Sequence, residues 1–189
     1  QTLNKANKKI NAEDINLLLA PPRPSFTQKE RMSMLKIAAR ILRDKKAKNF
    51  IKTHGYEKSA AVYAWLKREL EKISRNFYWL NNNYASVEYL SPNHFYKNLQ
   101  GLIKDESKIK EDWAMRLFIK TLSARKKALF KKYKLSPEFI NIVNFLAILG
   151  NFRDERKSYN QQAGNAIKKI VQELAGRTGI KTNAIEHLH

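Results

Sequence analysis

An apolar stripe at helical spacing restricts this chain's fold more than any other feature of its sequence. Tyr63, Leu66, Leu70, Ile73, Phe77 and Leu80 follow one another at intervals of 3, 4, 3, 4 and 3 residues. That is the period of one helix face, and it does not fit the two-residue period of a strand. No Pro or Gly interrupts the run from Tyr56 to Leu80, and Asn81-Asn82-Asn83 supplies its end. Punctuation is scarce elsewhere too: the counts of Gly (6) and Pro (5) are too low for short strands joined by tight turns. At 189 residues the chain can bury roughly 70% of its unfolded surface, enough for a real core. The expected fold is all-α, a bundle of about six helices preceded by an N-terminal arm and helix.

The remaining elements follow from local signals. Asn11 or Asp14 can cap a short segment ending in Ile15-Asn-Leu-Leu-Leu19. Pro21-Pro-Arg-Pro24 is then extended, because each proline disfavours helix in the residue before it. Thr27 and Glu30 form a capping-box pair, opening a helix with Met34, Ala38 and Ile41 on one face and Leu35 and Leu42 at its margins. His54-Gly55 closes it. Tyr84 to Leu90 is a loop or ragged strand, after which Ser91-Pro92 opens a short helix with Phe95, Leu99 and Leu102. Ser107, Glu111 and Asp112 start the next, whose apolar face runs through Trp113, Leu117, Phe118, Leu122, Leu129 and Phe130.

Ser136 caps a further helix with Pro137 at its first position. Between Phe139 and Leu149 that helix is apolar nearly all round, so it is expected to be buried, with Gly150 as its end. A last helix carries Ile167, Ile170, Val171 and Leu174 and stops at Gly176. The division expected is a basic arm, linker and helix over 1–50, the bundle over 51–176, and 177–189 as irregular tail or the start of a further domain. The arm has too little apolar surface for a core of its own. It is therefore expected to dock outside the bundle, leaving the fold intact when residues 1–26 are deleted.

Charge speaks to partners. With 37 basic and 17 acidic residues the chain carries +20, a field that attracts polyanions and acidic protein surfaces. Lys120, Arg125, Lys126, Lys127, Lys131, Lys132 and Lys134 have no acid among them, and Trp113, Phe118, Phe130 and Tyr133 lie close by. Such aromatics stack on single-stranded nucleic acid in other proteins, but here they fall on or near the apolar face and suit the core. The chain has no Cys, hence no disulfide and no thiolate metal site. No apolar run is long enough to span a membrane directly. Gly176-Arg-Thr-Gly-Ile-Lys-Thr182 departs from a phosphate loop because Ile180 separates Gly from Lys. His187 and His189 read as a solvated pair, and His54 and His94 sit at element edges. No nucleophile, base and orienting group assemble, so no catalytic, cofactor-binding or metal site is assigned, and none of these is expected.

One family signal remains. Lys134-Leu-Ser-Pro-Glu-Phe-Ile-Asn-Ile-Val-Asn-Phe-Leu-Ala-Ile-Leu-Gly-Asn-Phe152 resembles the fifth helix of the OSCP/delta subunit of ATP synthase. Gly55-Tyr-Glu-Lys-Ser-Ala-Ala-Val-Tyr63 is similar to that family's first helix, and Ile167 to Ile180 to its last helix and following turn. The resemblance covers about residues 55–185. The family's fifth helix usually ends Glu-Asn-Gly-Arg, where this chain has Ile148-Leu-Gly-Asn151, and the basic arm is additional.

The resemblance implies a non-enzymatic structural subunit on the matrix side of the mitochondrial inner membrane. Such a subunit joins the catalytic head to the peripheral stalk during proton-driven ATP synthesis. Its partners would be alpha subunits and peripheral-stalk subunits. It also implies a groove for a partner helix, at Tyr56, Ala60 and Tyr63 with Phe139, Ile142, Val143 and Leu146. All seven also suit interior packing, and most are expected there. The alternative is a basic helical protein that binds nucleic acid, such as a mitochondrial ribosomal component.

Overall fold

Residues 10–83 and 87–182 are described in the computed structural model, and every regular element among them is helical. In chain order these are α1 (Ala12–Leu19), α2 (Phe26–Arg43), α3 (Lys45–Thr53), α4 (Tyr56–Val62), α5 (Ala64–Phe77), α6 (Pro92–Lys104), α7 (Glu106–Lys132) and α8 (Pro137–Thr178). The all-α expectation therefore holds, with six helices after α1 and α2. The chain forms two compact units, each made of two separate stretches. One combines Gln1–Met32 with Glu106–Glu155, the other Ser33–Asp105 with Arg156–His189. Both α2 and α8 run through a boundary between them. The sequence boundary near residue 50 is not where the units divide.

The first unit is organised by α1 on α7. Asn11 caps α1, its Oδ1 accepting from the Asp14 backbone N–H at 2.7 Å. Leu18, only 2% exposed, forms a core with Leu129, Tyr133 and Val143, with Leu17, Phe130, Leu135 and Phe139 packed around it. Polar bonds fix the same register. Asp14 Oδ2 accepts from Lys132 Nζ at 2.8 Å and from the Tyr133 hydroxyl at 2.5 Å. The Pro-rich linker is strapped down as well: Asn151 accepts from the Arg23 N–H at 3.2 Å and donates to the Arg23 carbonyl at 2.9 Å. This corrects the expectation of an arm docking elsewhere. Its apolar surface, too small for a separate core, completes the one shared with α7 and α8.

The joint between α7 and α8 is a Schellman turn. The Leu135 N–H donates to the Phe130 carbonyl at 3.1 Å and the Lys134 N–H to the Lys131 carbonyl at 3.3 Å. Lys134 occupies the left-handed position at φ +49°, where glycine is the usual residue.

In the second unit α6 lies against α3, α4 and α5. Phe95, Tyr96, Leu99, Leu102 and Ile103 are buried on α6, facing the buried Leu66, Leu70 and Ile73 of α5 and Ala47 and Ile51 of α3. The Tyr96 hydroxyl lies 2.6 Å from Ser59 Oγ and donates to the His54 carbonyl at 2.7 Å, tying α6 to α4 and to the end of α3. Burial pushes the Tyr96 phenol up from its ordinary value, and hydrogen bonds from Ser59 and Gln100 partly oppose that.

Four boundaries differ from the sequence expectation. The helix expected from Thr27 starts at Phe26. Ser25 Oγ accepts from the Gln28 N–H and Gln28 Oε1 accepts from the Ser25 N–H at 2.9 Å, a capping box two residues earlier. Asp44 splits that helix from α3, its carboxylate accepting from the Lys46 and Ala47 N–H groups. Tyr63, at φ −115° and ψ 79°, separates α4 from α5 within the run expected to be continuous. Gly150 does not end its helix, which continues to Thr178 and absorbs the expected last helix. A Cβ at Gly150 would stand 3.1 Å from Pro21 Cγ, so this glycine admits the linker rather than stopping the helix.

Candidate partner-binding surface

The seven residues of the implied groove divide between the two units. Tyr56, Ala60 and Tyr63 belong to the second. Ala60 is buried, Tyr56 is half-buried with its ring edge-on to Tyr96 at 5.8 Å, and Tyr63 is half-buried against Phe50 at 5.8 Å. Burial raises the Tyr56 phenol above its ordinary value, with Glu71 and Glu57 adding to it. Phe139, Ile142, Val143 and Leu146 belong to the first unit. Val143 lies in the core and Phe139 packs on it. Ala60 and Val143 are thus removed from any partner by their own packing. Only Ile142, at 55% exposed, and Leu146, at 45%, present substantial apolar surface.

Those two belong to a larger face that the sequence reading assigned to the core. Ile142, Phe145, Leu146, Leu149 and Phe152 recur at helical spacing along α8 and are 42 to 62% exposed. Phe145 and Leu146 are therefore surface residues, and the expectation of a buried helix is corrected. The side turned inward carries Val143 and Ala147, which are buried, then Asn151 and Asp154, half-buried. Small and polar residues suffice there because the inward side meets α1, α7 and the linker over a narrow strip.

Within the second unit α8 repeats the pattern. Gln161 donates to the Leu80 carbonyl at 3.3 Å and to that of Asn82, and Lys168 donates to the Val87 carbonyl at 2.7 Å. Asn82, itself buried, donates to the Gln161 carbonyl at 3.0 Å and accepts from the Glu88 N–H at 2.7 Å. A helix lying on non-helical backbone needs donors on that side, which is why its buried face is polar. Ile167, Ile170 and Leu174 face outward, 44 to 60% exposed. The signal was present in the sequence as Val143, Ala147, Asn151, Asp154, Ser158, Gln161 and Asn165, a small and polar stripe at helical spacing.

The cations of α7 fall into two groups. Lys126 is buried and donates to the Ala20 carbonyl at the end of α1, and burial lowers its pKa. Lys132 is held by Asp14, with its pKa raised chiefly by that bond. Asp14 is held below its ordinary value by Lys132 first and Tyr133 second. Arg125 lies over the Phe118 ring at 5.3 Å. Lys120, Lys127 and Lys131 point outward. Of the aromatics near them, Tyr133 is buried, Phe118 and Phe130 are half-buried, and Trp113 is 42% exposed.

Among the described residues no group of three His, Asp or Glu side chains is placed to hold a metal ion, and no helix is long and apolar enough to cross a membrane. His54 stacks on Phe50 at 4.0 Å and its Nδ1 lies 2.9 Å from the Phe50 carbonyl, at the end of α3. His187 and His189 lie outside the described residues. No protein-family model, curated protein or solved structure matches this chain.

Proposed function

We propose that this chain is a non-enzymatic structural subunit of a larger complex, and that it docks an amphipathic helix of a neighbouring subunit on the outward face of α8. The observation that carries the reading is the apolar stripe Ile142–Phe145–Leu146–Leu149–Phe152, turned away from a core that lies on the other side of the same helix. It extends about 15 Å, three helical turns, which suits a single partner helix. Five such side chains at these exposures leave roughly 500 Å² of apolar surface, at the upper end of what a monomer ordinarily presents. Covering it is worth roughly 12 kcal/mol before the cost of association. A second copy of this chain is a poor occupant, because each copy brings +20.

The resemblance gives this reading its specific form. The complex is then an ATP synthase on the matrix side of the mitochondrial inner membrane, the docked helix comes from an alpha subunit, and the remainder joins the peripheral stalk. Calorimetric titration with the N-terminal helix of an alpha subunit tests it at two salt concentrations. Binding that is mildly salt-sensitive and abolished by Phe145→Ser together with Leu149→Ser supports the stator form. Absence of binding to that peptide rules it out. Binding that the double substitution leaves unchanged rules out the α8 face.

A further inference from the structure

We propose a second, independent surface in the same unit: the outward ridge of α7, from Trp113 to Lys131, binds single-stranded nucleic acid through its phosphate backbone. Trp113, Arg116, Lys120, Lys127 and Lys131 recur at intervals of 3, 4, 7 and 4 residues and so line one face of the helix. The two positions between Lys120 and Lys127 on that face, Ser123 and Ala124, are small and exposed. From Trp113 to Lys134 the sequence contains no acid. Three other cations of this stretch are engaged within the chain. Lys126 is committed to Ala20, Lys132 to Asp14, and Arg125 lies over Phe118. What remains fully outward is the line Lys120, Lys127 and Lys131, about 16 Å long, the length of some five phosphates of one strand.

The chemistry of the ridge selects its ligand. Exposed lysines gain little from scattered carboxylates on a protein surface. They gain much from a dense linear polyanion, because each neutralised phosphate releases condensed counterions. A membrane surface fits less well, since the exposed large hydrophobics of this ridge, Trp113 and Leu117, lie only at its head and none is exposed along the lysines from Lys120 to Lys131. Trp113, at the head of the ridge and 42% exposed with Arg116 5.1 Å from its ring, supplies the stacking platform that single strands use. This surface does not depend on the protein-docking face of α8.

The test is fluorescence anisotropy of a labelled 12-nucleotide oligouridine and its deoxythymidine counterpart, with the full chain at several salt concentrations. Combined Lys120→Ala, Lys127→Ala and Lys131→Ala should reduce the slope of log affinity against log salt by about 2, or 0.7 per lost contact. Trp113→Ala should weaken binding about ten-fold with the slope unchanged. Replacing Lys45, Lys46 and Lys72, exposed lysines of the other unit, should leave the slope as it is. Circular dichroism checks that each variant keeps its helices, which alanine favours. Equal loss from both lysine sets would overturn the proposal, leaving only diffuse charge. So would absence of binding to either strand, a preference for duplex, or binding of phosphatidylserine vesicles by a chain that ignores both oligonucleotides.

Discussion

Leu18→Ala separates an arm that belongs to the core from one merely tethered to it. Leu18 is 2% exposed and shares its cluster with Leu129, Tyr133 and Val143. Truncation removes three carbons from a site walled on one side by α7 and on the other by α8. Buried Leu→Ala changes cost 2–5 kcal/mol, and a small cluster that can partly collapse belongs in the lower half, about 3 kcal/mol. For a chain of this size each kcal/mol moves the melting midpoint by roughly 2–4 °C, so the expected fall is about 6–12 °C. The two units need not melt together, so a single midpoint is a blunt readout. Hydrogen exchange resolves it: protection should fall along α7 and the first turns of α8, while α6 keeps its own. Removing residues 1–24 should cost more still, since Asp14, Ala20 and Arg23 lose their bonds to Lys132, Lys126 and Asn151. A wild-type melting curve and exchange profile for Leu18→Ala would refute the shared core.

Phe145→Ala tests the opposite assignment. With 60% of the residue exposed, area and helix propensity together leave about 1 kcal/mol or less of destabilisation by urea unfolding, while capture of a partner helix should be lost. Lys134→Gly should stabilise the chain by about 1 kcal/mol in the same assay, because it relieves the left-handed strain at φ +49°. Asp14 has its folded pKa depressed by Lys132 and Tyr133, so its contribution is complete above the unfolded carboxylate value near 4. It is lost as the pH falls through the lower folded value. Unfolding midpoints measured from pH 6 downward should therefore fall more steeply for the wild type than for Asp14→Asn. Tyr96→Phe should cost about 1–2 kcal/mol by thermal unfolding, since it leaves the buried Ser59 hydroxyl without the phenol.

Periodicity made the helices legible and left their packing obscure. Leu66, Leu70 and Ile73 are buried as their spacing required, and the interruption at Tyr63 inside the same stripe carries no local signal. Its ring meets Phe50 of α3, a contact 13 residues distant in sequence, so tertiary packing set the break. Ser25–Gln28 and Thr27–Glu30 both have capping-box spacing. The earlier pair forms, directly after Pro24 has kept the chain extended. Expectation and structure differ most at α8. Apolar residues on all sides of a helix predict burial, but burial also needs neighbours, and here only the strip of Val143 and Ala147 is covered, Val143 by residues of α1 and α7. Of the candidate groove, Ile142 and Leu146 were legible as apolar helix positions. That they face outward was not.

Each unit is assembled from two stretches with the other unit's residues between them. Asp14 must find a lysine 118 positions later in the chain. During synthesis α1 leaves the ribosome long before α7 exists, so Leu18 and its neighbours wait uncovered while the whole of Ser33–Asp105 is made. That middle stretch in turn waits for the final helix to supply Gln161 and Lys168 to its loop carbonyls. The chain is interlaced in time, and no single cut yields either unit whole. Fragments made to isolate one would each carry half of the other, and a protease nicking the chain near residue 105 would leave two fragments joined through the packing inside each unit.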